Sequence, residues 1–181
     1  MLSHQQIKEL YLAHGKNVHQ LALSYLQNTE DAEEVTQDVF VSLYQNYTQF
    51  EEKSTLKTWI YRITVNKCLD FIKAKKRKKR FAVITSIFND DQSVKHEKAD
   101  FHHPGVALEN KENAAILFNA IGQLPENQRT VFLLSQTEGL GNKEIAVIID
   151  KSIGAVESLL QRAKENLRKQ LQEYYTNYRR N

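Results

Sequence analysis

Between Phe50 and Arg80 the chain reads FEEKSTLKTWIYRITVNKCLDFIKAKKRKKR. Its cations and aromatic rings have the chemistry of a surface for opened nucleic acid. Cations track phosphates and release condensed counterions. Rings and polar side chains hold bases that have left the stack. The same residues also fit a core helix followed by a solvated basic tail, and a lysine run by itself does not decide between the two. Trp59 fits a core position better than a base platform.

These side chains need a helix to position them. A short polar loop, residues 51–55, leads into a segment without Gly or Pro, and Thr55 or Ser54 can cap its first turn. Leu56, Trp59, Ile60 and Ile63 follow at helical spacing, and Val65, Leu69 and Ile72 continue it. One side of this helix can enter a core while another presents cations.

The 181 residues carry a net charge of +3, which conceals an uneven distribution. Residues 1–52 have a net charge of −6, residues 53–80 of +10, residues 81–150 of −5 and residues 151–181 of +4. Two basic blocks separated by an acidic one suit two contacts with a polyanion. At 41% apolar residues a packed core is feasible, and few Gly and Pro favour helices. Cys68 is the single cysteine, which excludes an internal disulfide and a multi-cysteine metal site and fits a small core position. The N-terminus lacks the apolar stretch of a signal peptide, and no apolar run reaches membrane-spanning length. A cytoplasmic protein without direct membrane insertion is expected.

The remaining segments also read as helices. Residues 3–27 form a helix or a broken pair, with Ile7, Leu10, Tyr11 and then Val18, Leu21, Ala22 and Tyr25 on one inward face and Gly15 as the interruption. Residues 28–31 form a turn in which Thr29 caps the next helix, 32–47. That helix buries Val35, Val39 and Leu43 and has an acidic first turn, either a solvated face or a docking surface for a basic partner. Residues 81–110 lose periodicity and read as a linker between two domains. The adjacent His102 and His103 lack a matching ligand cluster and are read as incidental rather than as metal ligands. Helical spacing returns over 106–121. Pro125 opens another helix from its first turn, with Val131, Phe132 and Leu134 buried. Asn142 caps a short helix, 143–149, with Ile145, Ala146 and Ile149 facing inward. After a turn at 150–154, a long basic helix runs to about residue 174. Two helices joined by a tight turn, the second long and basic, form a helix-turn-helix pattern.

Two blocks carry a family resemblance. DAEEVTQDVFVSLYQNYTQF followed by TWIYRITVNKCLDFIKAKKR resembles region 2 of bacterial sigma-70 factors. LPENQRTVFLLSQTEGLGNKEIAVIIDKSIGAVESLLQRAKENLRK resembles region 4. Their order and short connection resemble the extracytoplasmic-function subfamily, over roughly Ile7 to Leu171. The resemblance implies that region 2 docks on the clamp helices of the largest RNA polymerase subunit through Glu34, Gln37, Asp38, Phe40 and Tyr44. Region 4 would meet the flap of the second-largest subunit. It further implies that the loop from Phe50 through Lys53 and Ser54 captures a flipped minus-10 base close to Asn66, with Lys57, Arg62 and Lys67 on phosphates. An Asn amide both donates and accepts, so it can read a base edge. The final helix would enter the major groove of the minus-35 element with Ser158 and Arg162, four residues apart on one face, flanked by Lys164 and Arg168. Relatives commonly carry a basic residue where this chain has Glu157, and often another at Leu159. Glu157 repels phosphate yet can accept from a cytosine amine.

The expectation is an all-α protein of two helical domains, region 2 over 1–80 and region 4 over 111–181, joined by a flexible linker at 81–110. Its partners would be core RNA polymerase and promoter DNA. Relatives are often held by an anti-sigma protein, although no residue here identifies one. No phosphate loop, nucleophile constellation or cofactor motif points to an enzyme. Two other readings remain: a helix-turn-helix regulator acting without polymerase, and an interaction adaptor with a solvated basic tail. Run-off transcription and salt-dependent promoter binding separate them.

Overall fold

A computed structural model of the chain describes residues 2–50, 54–89 and 111–178. Among these residues every regular element is helical: α1 (His4–Leu26), α2 (Thr29–Asn46), a 3-10 turn (Tyr47–Gln49), α3 (Leu56–Asn89), α4 (Lys111–Gln123), α5 (Glu126–Gln136), α6 (Asn142–Ile149) and α7 (Ile153–Tyr178).

Local chemistry sets the helix ends. The Ser3 hydroxyl accepts from the Gln6 N–H, while the Gln6 side chain accepts from the Ser3 N–H. This reciprocal pair satisfies two donors that the first turn would leave open. α1 then runs unbroken through Gly15, which is buried, with the Tyr11 ring 3.5 Å from where a Cβ would stand. The expected interruption is absent because the glycine is used for close packing. Gln27 takes the left-handed conformation at the end of α1 (φ 54°) and turns the chain into α2. Asn28, not Thr29, caps α2, its side-chain oxygen accepting from the Asp31 N–H at 2.8 Å.

Thr55 caps α3, as its Oγ1 accepts from the Thr58 N–H at 3.2 Å. α3 extends to Asn89, beyond the boundary expected at residue 80. The segment 90–110, with His102 and His103, lies outside the described residues. Pro125 stands at the N-cap of α5, one position ahead of the first turn. Gly141, not Asn142, caps α6, and the Glu144 carboxylate accepts from its N–H at 3.0 Å. Ser152 caps α7 by accepting from the Ala155 N–H at 3.2 Å.

α1, α2 and α3 pack as one bundle and α4 to α7 as another. The first bundle buries Val18, Leu21, Val35, Val39, Leu43 and Ile60 and the second Val131, Leu133, Leu134, Ile145, Val156 and Ala163, all within one hydrophobic cluster. In α5 Leu133 is buried where Phe132 was expected, and in α6 Ile148 takes the place expected for Ile149; both displaced residues are half-buried. Phe132 and Ile149 still pack against the core from its margin. The two bundles also touch, through α3 with α6 and α1 with α5.

Candidate nucleic-acid interface

α3 positions the basic face. At about 100° per residue, Arg62 and Asn66 share a side with Trp59, and both are exposed. Lys57 stands roughly opposite, with Tyr61 and Cys68. Its Nζ lies 5.7 Å from the centre of the Tyr61 ring. Lys67 lies on a third side, in an open groove shared with Asp38, Asp70, Phe71, Lys73 and Arg77. The cations expected on phosphates therefore surround α3 instead of forming one stripe. Trp59 is half-buried against Phe50 (ring centres 5.2 Å apart) and Tyr47 (6.2 Å). Of this aromatic trio, Tyr47 was not among the expected residues. Lys53 lies outside the described residues, and Ser54 is half-buried beside the cap.

α2 carries the acidic patch. Glu34, Gln37 and Asp38 are exposed, and Tyr44 is half-buried. Phe40 departs from the expected docking role: only 7% exposed, it meets the edge of Tyr11 with ring centres 4.9 Å apart. Helical spacing turns position 40 towards the bundle with Val39 and Leu43. The apolar surface beside the patch comes instead from Tyr11, Leu12 and Val41, which are 53%, 73% and 52% exposed. Spacing along α1 had put Tyr11 on the inward face; it sits at the edge of that face.

α7 carries the second basic surface. Val156, Ala163 and Leu167 turn inward. Opposite them Ser158, Gln161, Arg162 and Glu165 are exposed, with Glu157, Lys164 and Arg168 along one margin. Ser158 Oγ donates to the Gly154 carbonyl at 2.9 Å, which leaves its lone pairs free to accept from a base. Glu157 is not a bare anion: it accepts from Asn142 Nδ2 at 3.4 Å. Gln161 lies a turn beyond Ser158 on the outward face and holds Glu165 at 2.9 Å. No expectation included it, although its position three residues after Ser158 places it there.

Between the bundles lies a polar contact that spacing did not reveal. Tyr61 Oη donates to Glu138 Oε2 at 2.6 Å, and Asn17 Nδ2 donates to the same hydroxyl at 3.4 Å. Burial pushes the Glu138 carboxyl above its ordinary range, against the opposing pull of the Tyr61 hydrogen bond and the nearby Lys57 charge. Burial, followed by that same charge, lowers His14. Cys68 is fully enclosed, and burial pushes its thiol up to about 12. It is an unreactive core thiol at neutral pH.

No group of His, Cys, Asp and Glu suited to a metal occurs among the described residues. No described helix is long and apolar enough to cross a membrane.

Residues 10–78 match the model of sigma-70 region 2, and residues 114–167 match sigma-70 region 4. The RNA polymerase sigma-H factor of Pseudomonas aeruginosa is 29% identical over 90% of this chain and 84% of its own length. The extracytoplasmic-function sigma-E factor of Haemophilus influenzae is 30% identical over 78% of this chain and 75% of its own. SigW of Bacillus subtilis is 29% identical over 86% and 83%. Two solved structures share the fold: the Bartonella quintana sigma factor RpoE in complex with the anti-sigma factor NepR (TM-score 0.64, 23% identity, 93% of this chain and 98% of that one), and CnrH in complex with the cytosolic domain of CnrY (TM-score 0.66, 22% identity, 94% and 90%). The chain therefore belongs to the extracytoplasmic-function branch of the sigma-70 family of RNA polymerase sigma factors.

Proposed function

We propose the following division of labour for this sigma factor, which binds core RNA polymerase and directs it to promoters. The α2 patch of Glu34, Gln37, Asp38 and Tyr44 docks on the clamp helices, with Phe40 supporting it from beneath and Tyr11, Leu12 and Val41 adding apolar contact. On α3, Phe50, Trp59 and Tyr47 frame the loop that captures a minus-10 base, Asn66 reads its edge, and Arg62 and Lys67 hold the strand's phosphates. Lys53 and Ser54 belong to that loop. On α7, Ser158 and Arg162 read the minus-35 element, joined by Gln161. Lys164 and Arg168 hold phosphates, and Glu157 is turned towards Asn142. Region 4 meets the polymerase flap.

The observation that carries this reading is the pairing of two outward cationic helices, α3 and α7, with an acidic patch on α2. Binding energy from these contacts offsets strand opening, while the polymerase carries out the chemistry. The reading makes the chain a non-enzymatic factor acting in the cytoplasm. An anti-sigma protein is the regulator it implies; the support is that both structural neighbours are complexes with such partners.

Run-off transcription with purified core enzyme, combined with sequencing of transcript starts after induction, tests the reading. It expects starts downstream of two shared elements, lost when core enzyme is omitted. Duplex binding at those elements with full affinity and no polymerase would favour a free-standing regulator.

A further inference from the structure

On the outward face of α7 one side chain is held in a fixed orientation. Gln161 Nε2 donates to Glu165 Oε1 at 2.9 Å, and both residues are exposed. They stand four residues apart, the spacing at which helix side chains meet. A carboxylate oxygen only accepts, so the Gln161 amide must turn its nitrogen towards Glu165. That leaves Oε1 and one amide hydrogen for a base edge.

No other residue of this face offers that pair. Arg162 carries donors only. Ser158 Oγ gives its hydrogen to the Gly154 carbonyl, which leaves it lone pairs only. Glu157 accepts from Asn142 Nδ2 and stands on the margin with Lys164 and Arg168. In the major groove, adenine sets an amine donor beside the N7 acceptor, and an amide oxygen with its neighbouring N–H matches both. Cytosine offers the amine alone. Guanine offers two acceptors, and thymine an acceptor and a methyl group. Either would set an oxygen against Gln161 Oε1. Without Glu165 the amide is free to turn over, and its nitrogen then suits guanine O6 or thymine O4.

We propose that Gln161 reads an adenine of the minus-35 element and that Glu165 is the positioning residue that sets its amide for that base. The proposal rests on the major-groove reading of α7 above and adds to it the base class that one side chain selects. Arg162, with donors only, takes a guanine at a different base pair.

The test uses the full chain with core polymerase on a promoter library whose minus-35 segment is randomised, and sequenced transcripts score each base. The unsubstituted chain should enrich adenine over guanine at one position by about tenfold, the scale of a single two-point contact. Gln161→Ala should reduce that preference to about twofold or less and leave the other positions unchanged. Gln161→Glu should move it to cytosine, whose amine a carboxylate accepts. Glu165→Ala should admit guanine and thymine at the same position. Glu165→Gln keeps an acceptor for the amide and should retain adenine. Both Glu165 variants lose the same charge, so the difference between them reports amide orientation. Survival of the adenine preference in Gln161→Ala overturns the base assignment. An unchanged profile in Glu165→Ala overturns the positioning role, as does equal relaxation in Glu165→Ala and Glu165→Gln. If the unsubstituted chain enriches no base anywhere in the minus-35 segment, the groove-reading role of α7 itself is overturned.

Discussion

Arg162 and Ser158 sit on the outward face of α7, four residues apart, with the Ser158 hydroxyl already donating to Gly154. Arg162 is thus the stronger reader, since a guanidinium can bond a guanine edge at two points. Arg162→Ala should cost about 1–3 kcal/mol and relax preference at one or two base pairs. Lys164→Ala or Arg168→Ala should weaken all sequences alike and flatten the salt slope by about one unit, because a phosphate carries no sequence. A panel of single-substituted minus-35 duplexes separates the two behaviours. Retention of full preference by Arg162→Ala would move the reading face towards Gln161 and Glu165. Asn66→Ala on α3 should remove about 1 kcal/mol from the open complex, a roughly fivefold loss, with less effect on closed binding. Permanganate reactivity of unpaired thymines measures it, and equal losses in both complexes would place Asn66 away from the captured base.

Helices decide which of these residues can cooperate. α2 presents Glu34, Gln37 and Asp38 to solvent while Val35, Val39 and Phe40 anchor it. Asp38→Lys should therefore lower core-enzyme affinity on the order of tenfold, about 1.4 kcal/mol, while hardly changing thermal stability, because exposed substitutions normally cost little. A pull-down against core enzyme beside a melting curve tests both halves. If affinity is unchanged, the docking face lies elsewhere on α2. At the start of α3, Thr55 Oγ1 holds the Thr58 N–H and so orients the helix behind the base-capture loop. Thr55→Ala should cost about 1 kcal/mol of stability, read as a lower unfolding midpoint. An undiminished midpoint would mean that water or another group satisfies the first turn.

At the scale of the whole molecule, the buried apolar residues of the two bundles join in one cluster, and polar contacts, including Gln27 with Phe118, add to their contact. At Gly122, next to this contact on α4, an added Cβ would stand 3.3 Å from Gln27 Nε2, so the amide would have to shift by a few tenths of an ångström. Gly122→Ala should favour α4 itself by about 0.5–1 kcal/mol yet displace the Gln27 amide and weaken docking. Domain stability and interdomain distance should thus change in opposite directions. A calorimetric midpoint and the distance between spin labels at exposed positions of α2 and α7, such as Gln45→Cys and Lys169→Cys in a Cys68→Ala background, distinguish this from a change that simply strengthens or weakens the entire chain.

The sequence by itself determined the helices, their order and the outward face of α7. These depend on relations three or four residues apart: the Thr55 cap, the Val156–Ala163–Leu167 spacing, the four-residue step from Ser158 to Arg162. The two family blocks were legible for the same reason, since each is a continuous stretch. Caps at Asn28 and Gly141 were misplaced by one residue because neighbouring polar groups offer nearly equal partners. Only the tertiary structure decided that Phe40 and Tyr11 exchange inner and outer roles, that Lys57 faces away from Arg62 and Asn66, and that Tyr61 meets Glu138. Tyr61 and Glu138 are 77 positions apart, Gln27 and Phe118 are 91 apart, and no local period links them. Such contacts follow from how two finished bundles fit together, and that depends on surfaces that exist only once each bundle has folded.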